Sequence, residues 1–116
     1  MTARPTETSL DERERLSRHG DSSPEAISLR LKAALKVSQL SQKELATEIG
    51  RPLTTVNSQI KAGSPSIDLM RYFYKGFRVD FNFLLHGDLA QLPGDVQLQL
   101  TNALAGIAPA EERPTS

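Results

Sequence analysis

The sequence predicts an all-helical chain. Three observations carry that expectation. No segment sustains the apolar/polar alternation of a strand, apolar residues recur at helical spacing in six successive stretches, and each stretch is bracketed by residues that start or stop helices.

Residues 1–22 are polar, and Leu10 and Leu16 stand alone, so they read as a disordered arm with at most a transient helix across Asp11–Arg18. Order is expected to begin at Ser23-Pro24-Glu25, a capping serine, a proline at the first helical position and an acid in the first turn. Ile27, Leu31, Ala34 and Leu35 then mark one face of a helix ending near Val37. Ser41 and Glu44 form a capping box that opens a short second helix with Leu45, Ala46 and Ile49 inside, closed by Gly50. A third helix from Leu53 or Thr54 to Ala62 is expected to bury Leu53, Val56 and Ile60 before Gly63-Ser64-Pro65 breaks it. Ser66 or Ser64 caps a fourth, with Ile67, Met70, Phe73, Tyr74 and Phe77 inward. Asp80 caps a fifth, Phe81 to His86, ended by Gly87. Residues 88–93 lead to a sixth from Gly94 to about Ile107, where Val96, Leu100, Ala103, Leu104 and Ile107 form a stripe.

The length, 116 residues, leaves room for one domain with tails. The division is residues 1–22 as the arm, 23–88 as the domain, 89–108 as a linker and C-terminal helix, and 109–116 as a loose tail. Cysteine is absent, which excludes disulfides, thiolate zinc sites and a cysteine nucleophile and fits a reducing cytoplasm. No apolar run suits a signal peptide or a membrane span, so a soluble cytoplasmic protein without membrane contact is expected. The formal charge is zero but unevenly spread: −1 over residues 1–23, +4 over 24–87 and −3 over 88–116. The nine cations of the middle segment are Arg30, Lys32, Lys36, Lys43, Arg51, Lys61, Arg71, Lys75 and Arg78, a distribution suited to a polyanion.

No Gly-x-Ser-x-Gly or paired histidine–carboxylate pattern is present, so neither catalysis nor a cofactor is expected. His86 reads as a helix C-terminal cation with no second metal ligand nearby. The informative pattern is two short helices joined by a turn that begins with Gly50, a helix-turn-helix arrangement. With Val56 and Ile60 wedged inside, Thr54, Thr55, Asn57, Ser58 and Lys61 remain on the outer face of the second of these helices. These are short hydrogen-bonding side chains and one cation, able to meet base edges in a major groove.

The segments LSQKELATEIG, TTVNSQIKAG, SPSIDLMRYFYKGF and VDFNFLLHGD resemble the lambda-repressor/Cro-like (xenobiotic-response-element, XRE) helix-turn-helix family over residues 24–88. Gln42, Leu45, Ala46, Gly50 and Val56 match its motif in register. The resemblance implies a five-helix DNA-binding domain, here with an extra C-terminal helix. It also implies a transcriptional regulator, usually a repressor that binds a palindromic operator in double-stranded DNA as a homodimer. Carried over by residue, Gln42 contacts phosphate or supports the recognition helix, and Lys43 lies beside it. Thr54, Thr55, Asn57 and Ser58 face bases, Lys61 lies nearer the backbone, and Arg51 in the turn contacts phosphate.

Departures from the family pattern fall at Arg51, Pro52, Gln59 and Ala62, the last because glycine comes one residue later. At the positions where many members hold a buried arginine–glutamate pair, this chain has Leu35 and Ile60, a joint change to an apolar contact. The stripe of the C-terminal helix either packs back on the core or pairs with its twin; pairing is the favoured expectation and would set two recognition helices about 34 Å apart. Arg71, Lys75 and Arg78 read as a solvated face. No separate effector domain fits the length, so a small-molecule effector is unsupported. A competing reading is a helix-turn-helix-shaped protein-interaction module, such as an antitoxin or adaptor.

Overall fold

Seven helices and no strand make up the residues described by the computed structural model, whose backbone covers 5–107 and whose side chains are described from 11 to 107. In chain order they are α1 (Pro5–Ser17), α2 (Pro24–Ser38), α3 (Gln42–Ile49), α4 (Leu53–Ala62), α5 (Ile67–Phe77), α6 (Phe81–His86) and α7 (Gly94–Gly106). None of them is long and apolar enough to cross a membrane. The loose tail expected from 109, and the first four residues of the expected arm, lie outside the described residues.

The core is built around α2. Ser23 Oγ accepts the Ala26 N–H at 3.2 Å, Pro24 opens the helix and Glu25 sits in its first turn. Ala26, Ile27, Leu31, Ala33 and Ala34 are all buried, a wider arc than one stripe, because α2 packs against α4, α5, α6 and α7 together. Leu45, Val56, Ile60, Leu69, Phe73, Phe83 and Leu84 are among the residues that join them in one cluster. The close approach of α4 to α2 depends on Gly63, which ends α4 at φ +67°. A Cβ there would stand 1.9 Å from the Pro24 carbonyl oxygen. Gly63 is thus where two helices touch.

Residues expected to form a disordered arm instead carry α1, held by polar contacts that leave no hydrophobic period to read. Its C-terminal end packs through Leu16 and the buried Ser17, and Arg13 donates to Gln97 Oε1 on α7 at 3.2 Å. The principal tie is Arg30, a fully buried guanidinium on α2. Its Nε donates to the Ser17 carbonyl at 2.9 Å, Nη2 to the carbonyls of Arg18 (2.7 Å) and Asp21 (2.5 Å), and Nη1 makes a long bond to that of Leu84 (3.5 Å). The carboxyl-terminal ends of α1 and α6 converge on this cation, the ends where the helix dipole is negative. Burial pushes the Arg30 pKa down to about 10, so it stays cationic at neutral pH. Arg30 therefore belongs to the core and not to the cationic surface its charge suggested.

Two further expectations are corrected. The α7 stripe does not lie open for a twin: Val96, Leu100 and Leu104 are buried in the same core, facing α2, and α7 packs on α1 as well. On α5, Ile67 and Tyr74 point outward, 55% and 52% exposed, and Leu69 takes an inner position with Met70 and Phe73. Smaller shifts concern Leu53, which is 39% exposed, and Leu35, which is half-buried while Ile60 is fully buried.

Candidate nucleic-acid interface

α3 starts from a complete capping box. Ser41 Oγ accepts the Glu44 N–H at 3.0 Å and Glu44 Oε1 accepts the Ser41 N–H at 2.8 Å. This fixes the first turn, where Gln42 is half-buried and Lys43 exposed. Leu45 and Ala46 are buried toward the core, and Gly50 at φ +70° ends the helix. The small side chain of Ala46 suits the packing of α3 on α4.

Gly50, Arg51 and Pro52 connect α3 to α4. Pro52 is the N-cap residue and has no side chain able to accept a hydrogen bond. Its carbonyl takes the Val56 N–H at 3.1 Å, while the N–H groups of Leu53, Thr54 and Thr55 have no hydrogen-bond partner among the described residues. An uncapped helix start of this kind presents donors and a partial positive charge outward, which suits an anion.

Along α4, Val56 and Ile60 are buried and Thr54, Thr55, Asn57, Ser58 and Lys61 are all exposed. Spacing of four and three residues puts Thr54, Ser58 and Lys61 on one line, with Thr55 and Asn57 on either side. None of these five side chains makes a hydrogen bond or ion pair with another described residue. The structure thus brings the five α4 residues onto one open face with Arg51 at its N-terminal edge. Gln42 and Lys43 lie on the neighbouring helix, at its first turn.

Three partners of this face were not legible in the sequence. Arg51 is not free: its Nη2 donates to Asp68 Oδ2 in the first turn of α5, and Arg71 Nη1 lies 3.9 Å from the other carboxylate oxygen. The Arg51 hydrogen bond, more than the bare charge, holds the Asp68 carboxyl below its ordinary range. Gln59, a departure from the family pattern, uses Oε1 to accept the Ser66 N–H at 2.9 Å and so anchors the start of α5. Lys61 lines an open groove of about 430 Å³ between α4 and α2 with Arg18, Lys32, Glu25 and Ile107, three cations and one acid. Lys32 and Lys61 were legible as cations in the sequence, but not that they share a groove. Of the cations read as a solvated face, Arg78 pairs with Asp95 at 2.8 Å, while Lys75 makes no ion pair among the described residues.

The chain matches no family model, no curated protein and no solved structure with which it was compared.

Proposed function

We propose that this chain is a sequence-specific DNA-binding transcriptional regulator, a repressor of the lambda-repressor/Cro-like kind that binds a palindromic operator as a homodimer. In this reading α2 to α6 are the five helices of the DNA-binding domain, with α1 and α7 added to it. The observation that carries it is the outer face of α4. Five polar or cationic side chains stand exposed there, without partners among the described residues, beside an uncapped helix start, while the opposite face is locked into the core. Asn57 suits adenine, since its amide can bond two edge groups at once. Thr54, Thr55 and Ser58 suit single hydrogen bonds or a thymine methyl. Arg51, Lys43, Gln42 and Lys61 suit the phosphate backbone, which fixes register without reading sequence. Because the inner face of α7 is occupied, the dimer needs another surface.

A second reading, an adaptor that binds protein, draws on two exposed apolar side chains of α5, Ile67 and Tyr74, the latter lining an open hollow with Arg71, Lys75 and Phe81. Selection from a random double-stranded DNA pool separates the two. An enriched palindromic motif is the expected result. On that motif, Asn57→Ala should cost about 1–3 kcal/mol and relax preference at one base pair per half-site. Arg51→Ala should weaken all sequences alike and lower the salt slope by about one per half-site. If Asn57→Ala and Ser58→Ala, both folded by circular dichroism, bind as the unaltered protein does, this face does not read DNA and the adaptor reading takes its place.

A further inference from the structure

The turn between α3 and α4 holds one arrangement that a simple cationic DNA face would not need. Arg51, at the N-terminal edge of the exposed α4 face, is bonded to a carboxylate, and that carboxylate belongs to a different helix. Asp68 is 44% exposed at its side chain and Arg51 51%, so the pair sits at the surface, where water and ions reach both partners. Arg71, one helical turn further along α5, approaches the same carboxylate at 3.9 Å and leaves it able to hold two guanidinium groups. Just beyond Arg51 lie the N–H groups of Leu53, Thr54 and Thr55, unpartnered among the described residues.

Two anions compete for the same donors in this geometry. A guanidinium binds a carboxylate and a phosphate through the same planar fork of N–H groups. A DNA phosphate reaching the start of α4 would therefore meet an Arg51 already turned toward an oxyanion, and a negative charge beside it. An exposed ion pair of this kind is weak, which makes exchange of one oxyanion for another feasible. The carboxylate does not capture the arginine permanently; it sets what a phosphate must displace.

Resting on the DNA-binding reading above, we propose that Asp68 is a built-in phosphate mimic that holds Arg51, competes with the DNA backbone for it, and so lowers the sequence-independent part of DNA affinity. The effect acts through Arg51 and is blind to base sequence, because phosphate contacts carry no sequence information.

The test measures binding to two duplexes, the motif selected from the random pool and an unrelated duplex of equal length, across a salt series. Four full-length proteins are compared: unaltered, Asp68→Asn, Arg51→Ala, and Arg51→Ala with Asp68→Asn. Asp68→Asn keeps the side-chain shape and frees Arg51, so its affinity should rise about five- to tenfold on both duplexes at low salt, a gain that shrinks as added salt screens the Arg51–Asp68 pair. In the Arg51→Ala background the same change should bring less than about twofold, since nothing remains to be released. Affinity that is unchanged or reduced in Asp68→Asn would overturn the inference, because the carboxylate would then orient Arg51 and not compete for it. A gain of equal size without Arg51, or a gain on one duplex only, would also overturn it. If none of the four proteins binds either duplex, the DNA reading itself fails and takes this inference with it. Binding by the unaltered protein without the expected gain defeats the inference alone. Asp68→Ser serves as a second variant should the asparagine disturb the first turn of α5, with the same result expected.

Discussion

Replacing Arg30 with methionine tests how α1 and α6 are held to the rest of the molecule. The guanidinium is fully buried and bonds four carbonyls from three segments, and the Asp21 carboxylate offsets part of its charge without a hydrogen bond to it among the described residues. Methionine keeps most of the aliphatic length but strands the Ser17 and Leu84 carbonyls, whose bonds to Arg30 are buried, while those of Arg18 and Asp21 can turn to water. A stranded buried acceptor costs about 1–3 kcal/mol. Part of that is offset because the charged group no longer has to be desolvated. The balance is a loss of about 3 kcal/mol, large beside the roughly 5–15 kcal/mol that stabilises a domain. With a urea slope of about 1.5 kcal/mol/M, the denaturation midpoint followed by circular dichroism should fall by about 2 M. Arg30→Lys keeps the charge, but a single ammonium cannot reach carbonyls spread over three segments, so about half the loss should remain. Hydrogen exchange in Arg30→Met should show α1 amides losing protection before those of α3 and α4. An unchanged midpoint with α1 still protected would refute the claim that this cation ties the two helix ends together.

Two other outcomes follow from the packing and the ion pairs. Truncation after Leu92 removes Val96, Leu100 and Leu104 from the core, so it should unfold the domain instead of releasing a folded monomer. Leu100→Ala alone should cost about 2–4 kcal/mol, and a truncated chain that melts cooperatively at the same urea concentration would contradict the packing of α7. The carboxyls of Asp21, Asp68 and Asp95 are held below the usual 3.8, chiefly by hydrogen bonds from the Ser23 backbone, Arg51 and Arg78 respectively. Depressed folded values mean their small stabilisation is intact above pH 3.8 and is lost as pH falls through the lowered values. Carboxyl titration by NMR should place all three midpoints under 3.8, and midpoints at or above it would remove these bonds from the solution structure.

Gln59, Gly63, Ile67 and Tyr74 show where single-residue reading stops. Gln59 reads as one more polar residue of α4 until its bond to the Ser66 N–H is known. Ala62 and Gly63 look shifted until the contact with Pro24 gives the glycine its reason. Ile67 and Tyr74 fit the period of an inward face on α5 and still point to solvent, because apolar spacing does not say which of two adjacent stripes a helix buries. The exposed residues of α4 were legible because Val56 and Ile60 leave only one orientation for that helix, whereas the partner of Arg51 sits 17 residues away on another helix.

By itself the sequence determined the helices from residue 23 to about 107, most of their caps and the outward set on α4. Each of these depends on contacts within a few residues: a serine that reaches a neighbouring N–H, a glycine that takes positive φ, an apolar period of 3.6. Only the tertiary structure decided that α1 forms and docks, that Arg30 is interior, that α7 closes on α2, and that Asp68 faces Arg51. Those outcomes are long-range. α1 is tied by hydrogen bonds to carbonyls, groups every residue carries and no composition reveals. The α7 stripe satisfies the same apolar pattern whether it meets a twin or its own core, and α2, buried over a wide arc, supplies the surface that settles the choice.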